Sequence, residues 1–228
     1  MCSRYFLDAD GNVIAYTFRV PADDRLIKRY NIAPTQDAPV IRAFGTDREL
    51  AMLRWGLVPG WAKELAVGTR MINARGETVG TKPAFRDAMK ARRCLVPATG
   101  FYEWQGVAGR KQPFAITLPD RPLFAFAGLW ESWKARGGEP IETFTILTTD
   151  ANETVAAIHD RMPVILPSEA EEAWLRGEAG EAASLVKPYA GGITMRAVSR
   201  FVSSSRNEGP ECLADAKDEG WGAQGSLL

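Results

Sequence analysis

The chain opens Met1-Cys2-Ser3-Arg4, and its second residue carries the chemistry around which the others can be arranged. Removal of Met1, by an aminopeptidase or by the protein itself, is permitted by the small side chain behind it and leaves a 1,2-aminothiol at the new terminus. The amine titrates near about 8 and the thiol near about 8.5 in free peptides, so near neutral pH each is expected to be partly in its nucleophilic form. An aldehyde is the matching electrophile. The amine condenses with it to a Schiff base, and the sulfur then closes a five-membered thiazolidine. No internal cysteine can do this. By position alone Cys2 reads equally as a small hydrophobe at the start of an edge strand, so the choice rests on what surrounds it.

Two further residues have suitable chemistry. Glu103 lies in the run Phe101-Tyr102-Glu103-Trp104. On a strand its neighbours Tyr102 and Trp104 face the opposite side, leaving the carboxylate free to face either a cleft or solvent. Aromatic surroundings raise a carboxyl pKa toward neutrality, where it serves proton transfer. His159 is the only histidine and precedes Asp160-Arg161-Met162-Pro163. Pro163 disfavours helix at Met162, so His159 is expected at a helix end, where the dipole favours its protonated form and a general-acid role. A capping or surface histidine is the alternative.

The elements that must hold these residues read as follows. Loose alternation over 3–20 with Asp10-Gly11-Asn12 as a turn predicts a hairpin. Pro34 makes 30–36 an ordered loop. Stretches 40–44 and 49–55 form a second hairpin around Gly45-Thr46-Asp47. The glycine- and proline-broken segment 55–61 holds a core Trp55 and an exposed Trp61 beside Lys63, suited to stacking. Pro83 starts a helix to about Arg92 that buries Phe85 and Met89. Arg70, Arg75, Arg86, Lys90, Arg92 and Arg93 form either a solvated face or a phosphate-tracking stripe. Strands are expected at 94–98, 113–118, 123–127, 142–148 and 193–202. Capping boxes at Asp150/Glu153 and Ser168/Glu171 predict helices over 151–159 and 170–175, the second stopped by Gly177.

The 228 residues suit one large domain. Lysine plus arginine equals aspartate plus glutamate, 28 against 28, so a polyanion site must be a local patch rather than a global field. The cysteines Cys2, Cys94 and Cys212 are far apart, and with a single histidine they predict no metal and no cofactor. No signal peptide or apolar span is present. The expected compartment is the cytoplasm.

Taken with Asn73-Ala74-Arg75, the loop 31–36 and the turn 55–61, these motifs resemble the SRAP family, the SOS-response-associated peptidases, over about residues 2–210. The resemblance implies an α+β fold: a single domain with a barrel-like antiparallel β-sheet core flanked by short helices, spanning 1–210, with 211–228 as a poorly ordered tail. It implies a monomer that binds single-stranded DNA in a basic channel, away from membranes. Cys2 there forms a thiazolidine with abasic sites and shields the lesion, with lyase cleavage as a side reaction. By position Asn73 bonds the linkage, Glu103 orients or deprotonates the α-amine, and His159 assists sugar opening. Arg75 and Arg161 match phosphate contacts and Trp61 a stacking position, with Arg4 and Arg86 added as DNA-binding residues. Ser3 departs from the family's glycine, and 199–208 lacks its Val-Asn pair. Two rivals use the same residues: a thiol peptidase of Cys2, His159 and Glu103, and a single-strand-binding module without catalysis.

Overall fold

The computed structural model describes residues 2–107 and 111–216. In chain order they form β1 (Tyr5–Leu7), α1 (Gly11–Phe18), β2 (Arg29–Ile32), β3 (Asp37–Phe44), β4 (Asp47–Trp55), β5 (Asn73–Arg75), α2 (Gly76–Val79), α3 (Arg86–Ala91), β6 (Arg93–Ala98) and β7 (Gly100–Gln105). The second half contributes β8 (Gln112–Thr117), β9 (Phe124–Lys134), β10 (Pro140–Asp150), α4 (Glu153–Ala156), β11 (Arg161–Pro163), β12 (Ile165–Leu166), α5 (Glu171–Arg176), α6 (Ala179–Ser184) and β13 (Thr194–Ala197).

Strands β10-β4-β3-β6-β9 follow one another in a sheet, and a further β9–β10 ladder closes them into a five-stranded barrel. Closure removes the open edges that would otherwise invite aggregation. Most pairs are antiparallel as expected, but β10 runs parallel to both β4 and β5. A second sheet, β13-β8-β7-β1-β2, packs on the barrel. Tyr5 joins them, edge-on to Trp55 at 5.3 Å and to Phe126 at 5.9 Å. The chain crosses from β6 to β7 through Thr99 alone, whose N–H donates to Phe6 O at 2.9 Å. Gly100 and Gly128 make two tight joints. A Cβ on Gly100 would lie 2.4 Å from the Phe6 ring, and one on Gly128 2.8 Å from Val96 and 2.9 Å from Cys94 Sγ.

Several expectations are corrected. Residues 10–12 do not turn a hairpin: Asp10 Oδ1 accepts the Asn12 and Val13 N–H groups, both at 3.0 Å, and caps α1. The buried pair Ile14 and Phe18, one turn apart, shows why helix wins. Pro83 precedes a turn rather than a helix, and α3 starts at Arg86, although Phe85 and Met89 are buried as expected. The helix before His159 shrinks to α4, capped by Asn152. Ser168 makes no capping bond to α5, and β13 ends at Ala197, ahead of a short 3-10 turn at Arg200–Ser203. Residues 210–213, part of the expected tail, form a 3-10 turn that buries Cys212, and the Ser199 N–H reaches Ala214 O at 2.8 Å. The remainder, 217–228, lies outside the described residues.

Two members of the basic stripe are structural. Arg92 pairs with Glu131 at 2.6 Å. Arg93 is buried and donates to Met89 O, Lys90 O, Trp174 O and Gly177 O, tying off the ends of α3 and α5. Arg93→Ala leaves four carbonyls short of a donor. It should cost about 3 kcal/mol or more, read as a lower urea midpoint with an unchanged m-value.

Candidate active site and nucleic-acid interface

Cys2 sits just ahead of β1. The Tyr102 N–H donates to Arg4 O at 3.0 Å and prolongs the β1–β7 ladder. Continuing its Tyr5↔Phe101 register by two positions sets Glu103 opposite Ser3. From the barrel side, Asn73 Nδ2 donates to Cys2 O at 2.7 Å. Asn73 heads β5, which pairs with β10 through Asn73↔Ile146 and Ala74↔Leu147, so the chain terminus is held between the two sheets. The Asn73 Oδ1 is buried and has no hydrogen-bond partner, an acceptor left for something the site receives.

Burial is complete at Cys2. It raises the thiol well above the usual range, and the charge of Glu103 adds to the effect. This corrects the expectation of a partly ionised sulfur: a thiolate cannot form until water or a charge partner reaches it.

Glu103 is 4% exposed. Burial raises its carboxyl to about 7, with Asp160 pushing the same way and Lys111 opposing. His159 comes within range because Gln105, at the end of β7, donates from Nε2 to Ala157 O at 3.3 Å. Its Nδ1 accepts the Arg161 N–H at 2.9 Å and lies 2.9 Å from Asp160 Oδ1. Burial lowers the His159 pKa, and an accepting Nδ1 places the proton of the neutral ring on Nε2. The helix-end expectation of an imidazolium is reversed in direction: α4 has only four residues, and burial lowers the His159 pKa. Asp160 and Lys111 act on both Glu103 and His159, and Glu103 acts on Cys2. Of the four predicted catalytic residues, Cys2 and Asn73 are joined directly by a hydrogen bond, and Glu103 and His159 share charged neighbours close by.

The outer positions divide. Trp61 is 64% exposed, on a loop anchored by the Trp133 indole N–H donating to Ala62 O at 2.7 Å. Arg75 and Arg86 are exposed, with Arg86 3.6 Å from Asp87. Arg4 and Arg161 are not open. Arg4 donates to Asn31 Oδ1 at 2.8 Å and Val202 O at 3.0 Å, and stacks 5.7 Å from the Trp104 ring centre. Arg161 is held by Glu77, Asp150 and Thr148 O. Sequence reasoning passed over Asn31. Its amide donates to Ser204 O at 2.9 Å and Asn207 O at 2.7 Å, pinning 201–207 beside Cys2's strand. Its 1% exposure in β2 is a tertiary fact that the sequence did not signal.

Among the described residues no group of three or more His, Cys, Asp or Glu is placed to hold a metal ion, and no helix is long and apolar enough to cross a membrane. Comparison with known proteins gives a consistent set. Residues 1–205 match the family described as SOS response associated peptidase (SRAP). The chain is 41% identical over 221 residues to abasic site processing protein YoqW of Bacillus subtilis, covering 93% of this chain and 99% of that one. It is 38% identical over 219 residues to abasic site processing protein HMCES of Gallus gallus, covering 81% of this chain but 65% of that longer one. A crystal structure of a protein from Bacteroides thetaiotaomicron superposes with a TM-score of 0.86 at 29% identity, over 95% of this chain and 100% of that one.

Proposed function

Because the chain belongs to the SOS response associated peptidase (SRAP) family, we propose that it processes abasic sites by linking Cys2 covalently to the opened sugar in single-stranded DNA. The observation that carries the reading is the placement of Cys2, whose carbonyl is held by Asn73, next to the buried Glu103 across the β1–β7 register, with the strand that carries Glu103 bonded through Gln105 to the turn before His159. It requires that Met1 be removed.

The chemistry follows from the ionisation states. The abasic sugar is mostly a cyclic hemiacetal, so ring opening comes first. Glu103 can take the proton from the C1′ hydroxyl and return it to the ring oxygen, which regenerates its carboxylate, while the neutral His159 donates a hydrogen bond from Nε2–H to that oxygen. The α-amine of Cys2, deprotonated by Glu103, adds to the C1′ aldehyde, and loss of water gives the imine. The Cys2 thiol, protonated until then, delivers its proton toward the imine nitrogen as sulfur bonds to C1′, closing the thiazolidine. Net, one water leaves. Amine first and sulfur second is the order that a raised thiol pKa favours, and it weighs against a thiol peptidase, which needs the thiolate from the start. An imine that fails to close can lose the 3′ phosphate by β-elimination, the lyase side reaction.

Asn73 orients the Cys2 carbonyl and offers its Oδ1 to the adduct. Trp61 offers an exposed stacking face, and the exposed Arg75 and Arg86 are the candidate phosphate partners. Single strands suit this site because the target base step is already unstacked.

The deciding experiment incubates protein of verified intact mass with a single-stranded oligonucleotide bearing one abasic site. A denaturation-resistant adduct weighing the sum of both minus one water supports the reading; salt-reversible retention of intact and abasic strands alike defeats it. In the same assay Trp61→Ala should weaken binding of intact single strands by about 1–3 kcal/mol, read by fluorescence anisotropy, with little change in the rate of adduct formation at saturation.

A further inference from the structure

Arg161 is paired with an acid whose charge also interacts with Arg75. Glu77 lies two residues past Arg75, in the first turn of α2. Arg161 lies on β11, next to β10, which also pairs with β5, so its guanidinium meets α2 from the other side. Its Nη1 and Nη2 reach Glu77 Oε1 at 2.6 Å and Oε2 at 2.9 Å, a bidentate pair. The remaining hydrogens go to Asp150 Oδ1 at 2.7 Å and Thr148 O at 2.8 Å. Arg161 Nε is buried without a partner. Arg161 first, and Arg75 more weakly, hold the Glu77 carboxyl below the usual range. The acid therefore feels both arginines.

These carboxylates are not the walls of a buried ion pair. Glu77 is 48% and Asp150 81% exposed on the side chain, whereas Arg161 is 13% exposed. A phosphate offers a guanidinium the same forked pair of anionic oxygens as a carboxylate, and an exposed carboxylate can be exchanged for it at little cost. We propose that Glu77, supported by Asp150, occupies the place between Arg161 and Arg75 that a backbone phosphate of the bound strand takes, and so sets specificity for the lesion. An intact strand must displace the acid and gains only a phosphate contact. An abasic strand that displaces it for a moment is retained by Cys2. The inference rests on the DNA-binding reading above and adds to it residues that lower affinity so that the covalent step can discriminate.

The test measures anisotropy of an undamaged single-stranded oligonucleotide over a range of salt, together with saturating adduct rates on its abasic counterpart. Glu77→Gln keeps size and one acceptor while removing charge. It should bind the undamaged strand about threefold to tenfold more tightly, with a salt slope steeper by roughly 0.7 and an unchanged saturating adduct rate. Asp150→Asn should shift in the same direction by less, and it decides the matter if Glu77→Gln does not fold. Unchanged or weaker affinity in the folded variants overturns the proposal and leaves Glu77 as a strut for β5. Wild-type protein that binds no single strand at any salt defeats the DNA-binding reading itself, a different result.

Discussion

Cys2→Ala protein should form no denaturation-resistant adduct with abasic single-stranded DNA, while its affinity for the intact strand should stay within about twofold of the parent. The side chain is buried and small, so alanine removes the sulfur without opening a large cavity. A short uncleaved extension ahead of Cys2 gives the same loss, because it converts the amine into an amide that cannot form an imine. Cys2→Ser separates the two halves of the reaction. Its amine still condenses, but the hydroxyl closes a less stable ring, so strand cleavage by β-elimination should rise as stable adduct falls. The readout is a denaturing gel of labelled oligonucleotide alongside intact mass. Full trapping by the extended protein would require a thiol-only mechanism and discard the account given above.

Glu103→Gln should slow adduct formation by about 10²-fold or more at pH 7 with DNA affinity preserved, because an isosteric amide keeps the packing and removes the proposed base. The parent's single-turnover rate should climb as pH rises through about 7, where the buried carboxyl ionises, and the variant should lose that limb. A stability measurement checks the same group independently. A carboxyl whose pKa rises on folding binds more protons folded than unfolded, so it favours the folded state at low pH. That contribution fades as pH rises from the unfolded value near 4.5 through about 7. Glu103→Gln should therefore gain on the parent in urea midpoint at pH 8 but not at pH 4. A rate profile with an unchanged limb near 7 would move the base role elsewhere.

The parts of the fold legible in the sequence were those set by near neighbours. The β3–β4 hairpin around Gly45 follows from a short glycine turn between apolar runs. The all-buried β6 follows from its unbroken apolar stretch. The misread start of the chain shows the limit. Asp10-Gly11 is as good a hairpin turn as a helix cap, and Ile14 and Phe18 decided it by packing into a core that no local window displays. The parallel runs of β10 beside β5 and β4 join residues about seventy to ninety apart, beyond any periodicity.

The site divides along the same line. The order of residue types alone determined which groups could react: a terminal aminothiol, a carboxylate among aromatics, a single imidazole, a tryptophan beyond Pro59-Gly60. Only the tertiary structure decided their states. Burial made the Cys2 thiol and His159 neutral and lifted Glu103, and partners distant in sequence engaged Arg4, Arg93 and Arg161 while Arg75 stayed exposed. The reason is physical: a side chain's chemistry belongs to its covalent structure, whereas its charge and availability depend on solvent and on neighbours that meet only once the chain has closed on itself.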